Sequence, residues 1–211
     1  MQDQVNAKLI GEIVIEEILN KHGFINFKTI FHRRNSKCIY RENKTTILKL
    51  NYEAAIIEDV ESIIVAAHEA SHALNYREGV VNPRKMKVAE ILYYFFTVLS
   101  FSYCIISPWL FQGLIWTFLL VCLQISSIFV YTFHFKNYIN DEIKTESRAL
   151  KEIKNVFENL QTDISIEEIE KRNKYRMNNY ILGQKLWIQI VVYLIATTAL
   201  YFVIQLFTKF Y

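Results

Sequence analysis

His68-Glu69-Ala70-Ser71-His72 sets two imidazoles four residues apart, with a carboxylate beside the first. The chain has only 5 histidines, so a chance match to this HExxH pattern has a probability of roughly 1%. The surrounding stretch IIVAAHEASHALNY contains neither glycine nor proline, which permits an unbroken helix. Residues i and i+4 of a helix lie one turn apart on one face, so both rings can reach a single Zn2+ at about 2.0–2.1 Å. Glu69 is then placed to take a proton from a water whose pKa the metal lowers to about 7. The competing reading is a pair of structural histidines beside a capping carboxylate. It leaves three ionisable groups in an Ile/Val/Ala-rich helix in need of buried partners.

A catalytic zinc site needs a third protein ligand and one open position. His22, His32 and His134 have no acidic or histidine neighbour at ligand spacing. In NDEIKTESRALKEIKNVFENL, a helix would align Glu142, Glu146, Ala149, Ile153, Val156 and Leu160 on one face. Two carboxylates at i and i+4 on an apolar stripe repel each other and lose hydration unless a cation joins them. The alternative is a helix N-terminus whose acids stay solvated and favoured by the dipole. Spacing alone leaves the two readings open.

The elements that must position these groups are unevenly charged. The 211 residues are 52% hydrophobic and 21% charged, with a mean hydropathy of +0.13. Residues 91–135 and 186–208 nevertheless contain no Asp, Glu, Lys or Arg. Such runs read as membrane spans, which excludes an ordinary soluble enzyme. Four regions are expected: an N-terminal α+β region with the HExxH helix over 1–87, a transmembrane helical hairpin over 88–135, a charged helical region with the third ligand over 136–185, and a C-terminal transmembrane helix over 186–211. The fold class is thus mainly α with a small β-sheet, a zincin-like α+β catalytic region joined to membrane helices. Within the first region, residues 8–21 suit an amphipathic helix ended by His22-Gly23. FINFKTIF and KCIYRENKTTILKL suit short strands, the latter two joined by RENK, and Asn51 is a plausible cap for a helix from residue 53.

Arg84, Lys85, Lys87, Lys136, Lys144 and Arg148 flank the hairpin, while its tip, with Pro108, Trp109 and Gly113, has no basic residue. The positive-inside rule then places both polar regions in the cytoplasm of a multi-pass cell-membrane protein. The N-terminus carries acids within its apolar stretch and does not read as a signal peptide, so the first span is expected to direct insertion. A net charge of +3 without an arginine-rich stripe gives no reason to expect nucleic acid as a partner. The partners expected are the lipid bilayer and a peptide or membrane-protein substrate. Cys38, Cys104 and Cys122, an odd number, read as small buried hydrophobes rather than a disulfide framework.

VAAHEASHAL, a hydrophobic hairpin and EIKTESRAL, in that order, resemble the neutral zinc metallopeptidases of the YugP type. There a VAAHExGHA helix is followed, after two apolar segments, by E-x-x-A-S-x-R-A. CIYRENKTTILKLN is similar to the strand–turn–strand ahead of that family's active helix, and the closing apolar helix also corresponds, so the resemblance runs from about residue 36 onward. It implies zinc ligands at His68, His72 and Glu142, a catalytic base at Glu69, and Arg148-Ala149 as the family's R-A pair; Glu146, a departure from that pattern, offers a second carboxylate to the metal or to a histidine, and is read as standing behind the ligands. Ser71 stands where the family has glycine, Thr145-Glu146 where it has Ala-Ser, and the family's N-terminal membrane segment is not found.

The function expected is a membrane-integrated, zinc-dependent endopeptidase cutting peptide bonds near the cytoplasmic membrane surface. TTILKL would be an edge strand pairing with extended substrate, and Arg148 or Tyr138 would serve the oxyanion. The alternative is a catalytically idle zinc-binding membrane adaptor or chaperone. Intramembrane proteolysis is disfavoured, because charges bracket the motif helix to about 15 residues where a span needs about 20.

Overall fold

A computed structural model describes residues 9–42, 44–52, 60–110, 114–160 and 162–183, with 188 and 192. It is mainly helical, with one small three-stranded sheet, an α+β composition. The chain divides into two compact units, Met1–Pro83 with Asp141–Asn179, and Arg84–Asn140 with Tyr180–Tyr211.

In the first unit, α1 (Ile10–Lys21) buries Ile10, Val14, Ile15, Ile18 and Leu19, the stripe a 3.6-residue period produces. It stops where Gly23 adopts φ 62°, which lets the Phe24 N–H reach the Leu19 carbonyl at 2.9 Å and the Gly23 N–H reach that of Asn20 at 2.9 Å. Three strands follow, β1 (Phe27–His32), β2 (Lys37–Ile39) and β3 (Thr46–Asn51), in the order β1-β3-β2. β3 runs parallel to β1 with Thr29 opposite Leu48, and antiparallel to β2 with Cys38 opposite Leu48.

TTILKL is therefore the central strand, contrary to the expected edge. It is paired on both sides, and the face carrying Thr46, Leu48 and Leu50 is buried. The outer strands are β1 and the three-residue β2, and β2 lies against the motif helix. Asn51 closes β3; the expected helix start over 53–59 lies outside the described residues.

The motif lies on α2 (Val60–Arg77), which is buried on nearly all sides from Ser62 to Asn75. Its alanines at 66, 67 and 70 keep it slim enough for α1 to approach; a Cβ at Gly11 would sit 3.2 Å from Leu50 Cδ1 and 3.6 Å from Ala66 Cβ. Ile15, Ile18, Leu48, Ile63, Ile64, Leu74, Ile153 and Ile169 complete one apolar core around it.

The second unit contains most of α3 (Pro83–Leu110), opened by proline in the first turn, and the first part of α4 (Leu114–Val156). Tyr93 lies 4.4 Å from the Tyr131 ring and stacks on His134 at 5.9 Å, and the Ser127 hydroxyl donates to the Phe96 carbonyl at 3.2 Å. The expected break between hairpin and charged region does not occur. Residues 136–142 hold no glycine or proline, and α4 continues as a single 43-residue helix into the first unit. A 3-10 turn (Phe157–Asn159) ends it, and a last helix, α5, covers residues 166–183, capped by the Ser165 hydroxyl accepting from the Glu168 N–H at 3.2 Å.

Among the described residues no helix is long and apolar enough to cross a membrane, which corrects the expected multi-pass placement in a cell membrane. The cytoplasmic orientation read from the basic residues falls with it. The expectation rested on the charge-free runs of the sequence, and the described helices do not carry it. The span expected over 186–211 lies outside the described residues except for 188 and 192.

Candidate metal centre

Four residues apart on α2, the rings of His68 and His72 have their centroids 4.6 Å apart, nearly perpendicular at 88°. Facing them from α4 is Glu142. Its Oε2 is 3.2 Å from His68 Nε2 and its Oε1 is 3.9 Å from His72 Nε2. One ligand atom from each of the three residues lies within 4.8 Å of the others, and all three residues are buried. This group could hold a metal ion. The alternative of a solvated helix end does not hold, because Glu142 sits far inside α4 and Glu146 is fully buried.

The other nitrogen of each ring faces a different carboxylate. His68 Nδ1 is 3.2 Å from Glu146 Oε1, close enough for charge to act although off the direction of a good hydrogen bond. His72 Nδ1 is 3.7 Å from Asp141 Oδ2 and 3.3 Å from Thr145 Oγ1, while Tyr76 stacks on the ring at 5.5 Å. Thr145 is held in turn by the Asn75 side-chain amide at 3.1 Å, and the Tyr76 hydroxyl hydrogen-bonds Asp141. Rings whose Nε2 atoms converge while their Nδ1 atoms meet carboxylates or hydroxyls have the arrangement in which outer groups fix a ligand's tautomer and direction.

Glu69 is 5% exposed. It accepts a hydrogen bond from the main-chain N–H of Cys38 on β2, and its Oε2 has no partner among the described residues. Burial, with the charge of Glu142, pushes its carboxyl up to about 7, against the opposing pull of His68. Burial disfavours a charged His68, but hydrogen bonds and charges from Glu142 and Glu146 outweigh it and raise the imidazole to about 10. Burial and the charge of His68 lower His72 to about 4. Burial and Glu142 raise Asp141 to about 6. Burial would also raise Glu146, but His68 and Arg176 hold it below the ordinary carboxylate range. The cluster thus draws a proton onto the ring between two carboxylates and leaves the second ring neutral, with its lone pair available. Two buried imidazoles and the buried Glu142 carboxylate, with one ligand atom from each within 4.8 Å of the others, suit a metal ion, which would displace the proton from His68.

Arg148 is committed elsewhere. Its guanidinium binds Glu78 at 2.6 and 2.7 Å and Asn75 at 3.0 Å, tying the end of α2 to α4 rather than facing a substrate. Tyr138 belongs to the second unit. His22, without a carboxylate neighbour in sequence, meets Glu152 at 2.9 Å through the fold, and His32 Nδ1 accepts from the Arg34 N–H. Cys38 and Cys122 are free thiols.

Several contributors carry no recognisable pattern. Asn75 and Tyr76 could have been suspected, since they follow His72 at i+3 and i+4 on its face. Asp141, Thr145, Asn173 and Arg176 meet the site only through tertiary packing, and the Cys38 contact is a main-chain one. No protein-family model, curated protein or solved structure matches the chain.

Proposed function

We propose that this chain is a zinc-dependent endopeptidase of the kind its motifs resemble. The observation that carries the reading is the convergence of His68 Nε2 and His72 Nε2 on the two oxygens of Glu142, within 4.8 Å, beside a buried Glu69 with one free oxygen. Two imidazoles and a carboxylate form the donor set of a catalytic zinc that keeps a fourth position open. Zinc, when bound, supplies a Lewis acid for a peptide carbonyl and lowers the pKa of water. Glu69 accepts the proton from the attacking water and returns it to the leaving amine. Its burial, which raises the carboxyl, favours taking up that proton. The Cys38 N–H holds one oxygen of the carboxylate and thereby aims the other. Endopeptidase action and peptide substrate are what the resemblance implies.

Glu69→Gln separates catalysis from metal binding. The expected result is about one zinc per chain, as in the parent protein, with casein hydrolysis reduced by at least about a hundredfold, the scale of general-base effects. Equal hydrolysis by the variant would remove Glu69 from the chemistry. A parent protein that binds zinc yet cuts nothing would leave the idle adaptor reading.

A further inference from the structure

We infer that Arg176 and Asn173, on α5, are positioning residues for the metal, because together they hold the Glu146 carboxylate against His68 Nδ1. Glu146 has no exposed surface, and a buried carboxylate keeps its charge and place only where donors replace water. Among the described residues its hydrogen-bond donors come from α5. Arg176 directs Nε and Nη2 to Glu146 Oε1, both at 2.7 Å, and the Asn173 amide donates to Glu146 Oε2 at 2.9 Å. Arg176 Nη1 reaches Glu61 Oε1 at 2.6 Å, and Arg172 Nε reaches Glu61 Oε2 at 2.8 Å. Glu61 lies on α2, two turns before His68. One guanidinium therefore spans the helix that carries the histidines and the helix that carries the carboxylates.

The contrast with the second ring supports a specific role. Asp141, the carboxylate near His72 Nδ1, stands farther off at 3.7 Å and is steadied by the neutral hydroxyls of Thr145 and Tyr76. Glu146, at 3.2 Å from His68, is fixed by a planar cation that directs two N–H groups onto its Oε1, while Asn173 holds Oε2. Without those donors the carboxylate is free to turn, and the ring beside it loses its direction. The inference rests on the metal centre and not on peptide hydrolysis.

The test is titration of metal-free full-length protein with Zn2+ alone, and with Co2+ to read ligand geometry from its visible spectrum. The variants are Arg176→Met, Arg176→Lys and Asn173→Ala, with the thermal midpoint of each metal-free protein recorded. Arg176→Met is expected to weaken Zn2+ about tenfold or more, within the 10–100-fold range of outer-group losses, and to alter the Co2+ spectrum. Arg176→Lys, which keeps the charge but not the two directed N–H groups, should restore part of the affinity. A guanidinium acting through charge alone predicts the reverse, since removing a cation would tighten Zn2+ and lysine would substitute fully. Unchanged or tighter binding by folded Arg176→Met would overturn the inference, as would a lower midpoint with parental affinity. If Arg176→Met does not fold, Asn173→Ala decides: weaker Zn2+ supports the role and parental affinity rejects it. A parent protein that takes up no Zn2+ overturns the metal centre itself, whereas one that binds Zn2+ but cuts no peptide leaves this inference standing.

Discussion

The two units handle polarity in opposite ways. In the first, where the chain is densely charged, His68, Glu69, His72, Asp141, Glu142 and Glu146 are buried among alanines and isoleucines. In the second, residues 91–135 carry no charge at all, yet Ile91, Phe95, Val98, Phe118, Phe129 and Phe133 are exposed. How many charges a segment contains thus says little about where they go. What lets the first unit bury so many is pairing: Glu146 with Arg176, Glu142 with His68, Glu152 with His22. A buried charge stripped of its partner is costly, so substitutions there should have large effects. The second unit is joined by rings and hydroxyls, and single losses there should be small.

Predictions from this contrast run from strong to weak. Glu142→Ala is expected to leave the protein nearly metal-free and inactive, since it removes the one carboxylate facing both Nε2 atoms. Zinc per chain after dialysis against a weak chelator reads the result. Glu146→Ala should keep metal under stoichiometric loading, with affinity reduced about 10–100-fold. Should Glu146→Ala come out metal-free and Glu142→Ala loaded, the ligand is one turn further along α4.

An intermediate effect is expected at Glu78. The hydrogen bonds from Arg148 outweigh a small burial penalty and depress this carboxyl below its ordinary range. A depressed carboxylate adds stability above the unfolded pKa of about 4.3 and loses it as pH falls through the lower folded value. Because Glu78 is partly exposed, Glu78→Gln should cost no more than about 1 kcal/mol at pH 7, and parent and variant should converge in urea melts near pH 3. A gap that persists at pH 3 would mean that packing, not charge, separates them. The smallest effect belongs to Ser127→Ala in the second unit. It deletes a 3.2 Å bond to Phe96 from a hydroxyl that also reaches Leu123 at 2.9 Å. Less than about 1 kcal/mol and an unchanged zinc content are expected. A zinc loss from this variant would break the contrast between the units.

The periodic parts of the molecule were legible in the sequence. The apolar stripe of α1, the glycine after it, three short strands and an uninterrupted helix around the HExxH motif all follow from local pattern. Local pattern does not encode which strand lies in the middle: β3 alternates as either an edge or a central strand would, and only its two partners distinguish them. The nearness of Glu142 to the histidines was suggested by two acids on one apolar stripe. Arg176 gave no such sign, since its partners lie 30 and 115 residues away. The membrane expectation rested on charge-free runs, and no described helix turns one of them into a span.

The bond from the Cys38 N–H to Glu69 has a consequence for which sequence changes this chain can accept. The donor belongs to the main chain, so position 38 admits any residue that fits its half-buried place, with one exception: proline has no N–H to give. Direction matters more than identity. Successive amides along a strand point to opposite edges, so deleting one residue between positions 33 and 36 and shifting β2 by one along β3 would turn an N–H away from Glu69 and bury it in the sheet. In this corner of the molecule an insertion or deletion should therefore be worse than nearly any substitution. A library of length variants, set beside a library of point variants at residues 33–39 and scored for hydrolysis, should show that asymmetry.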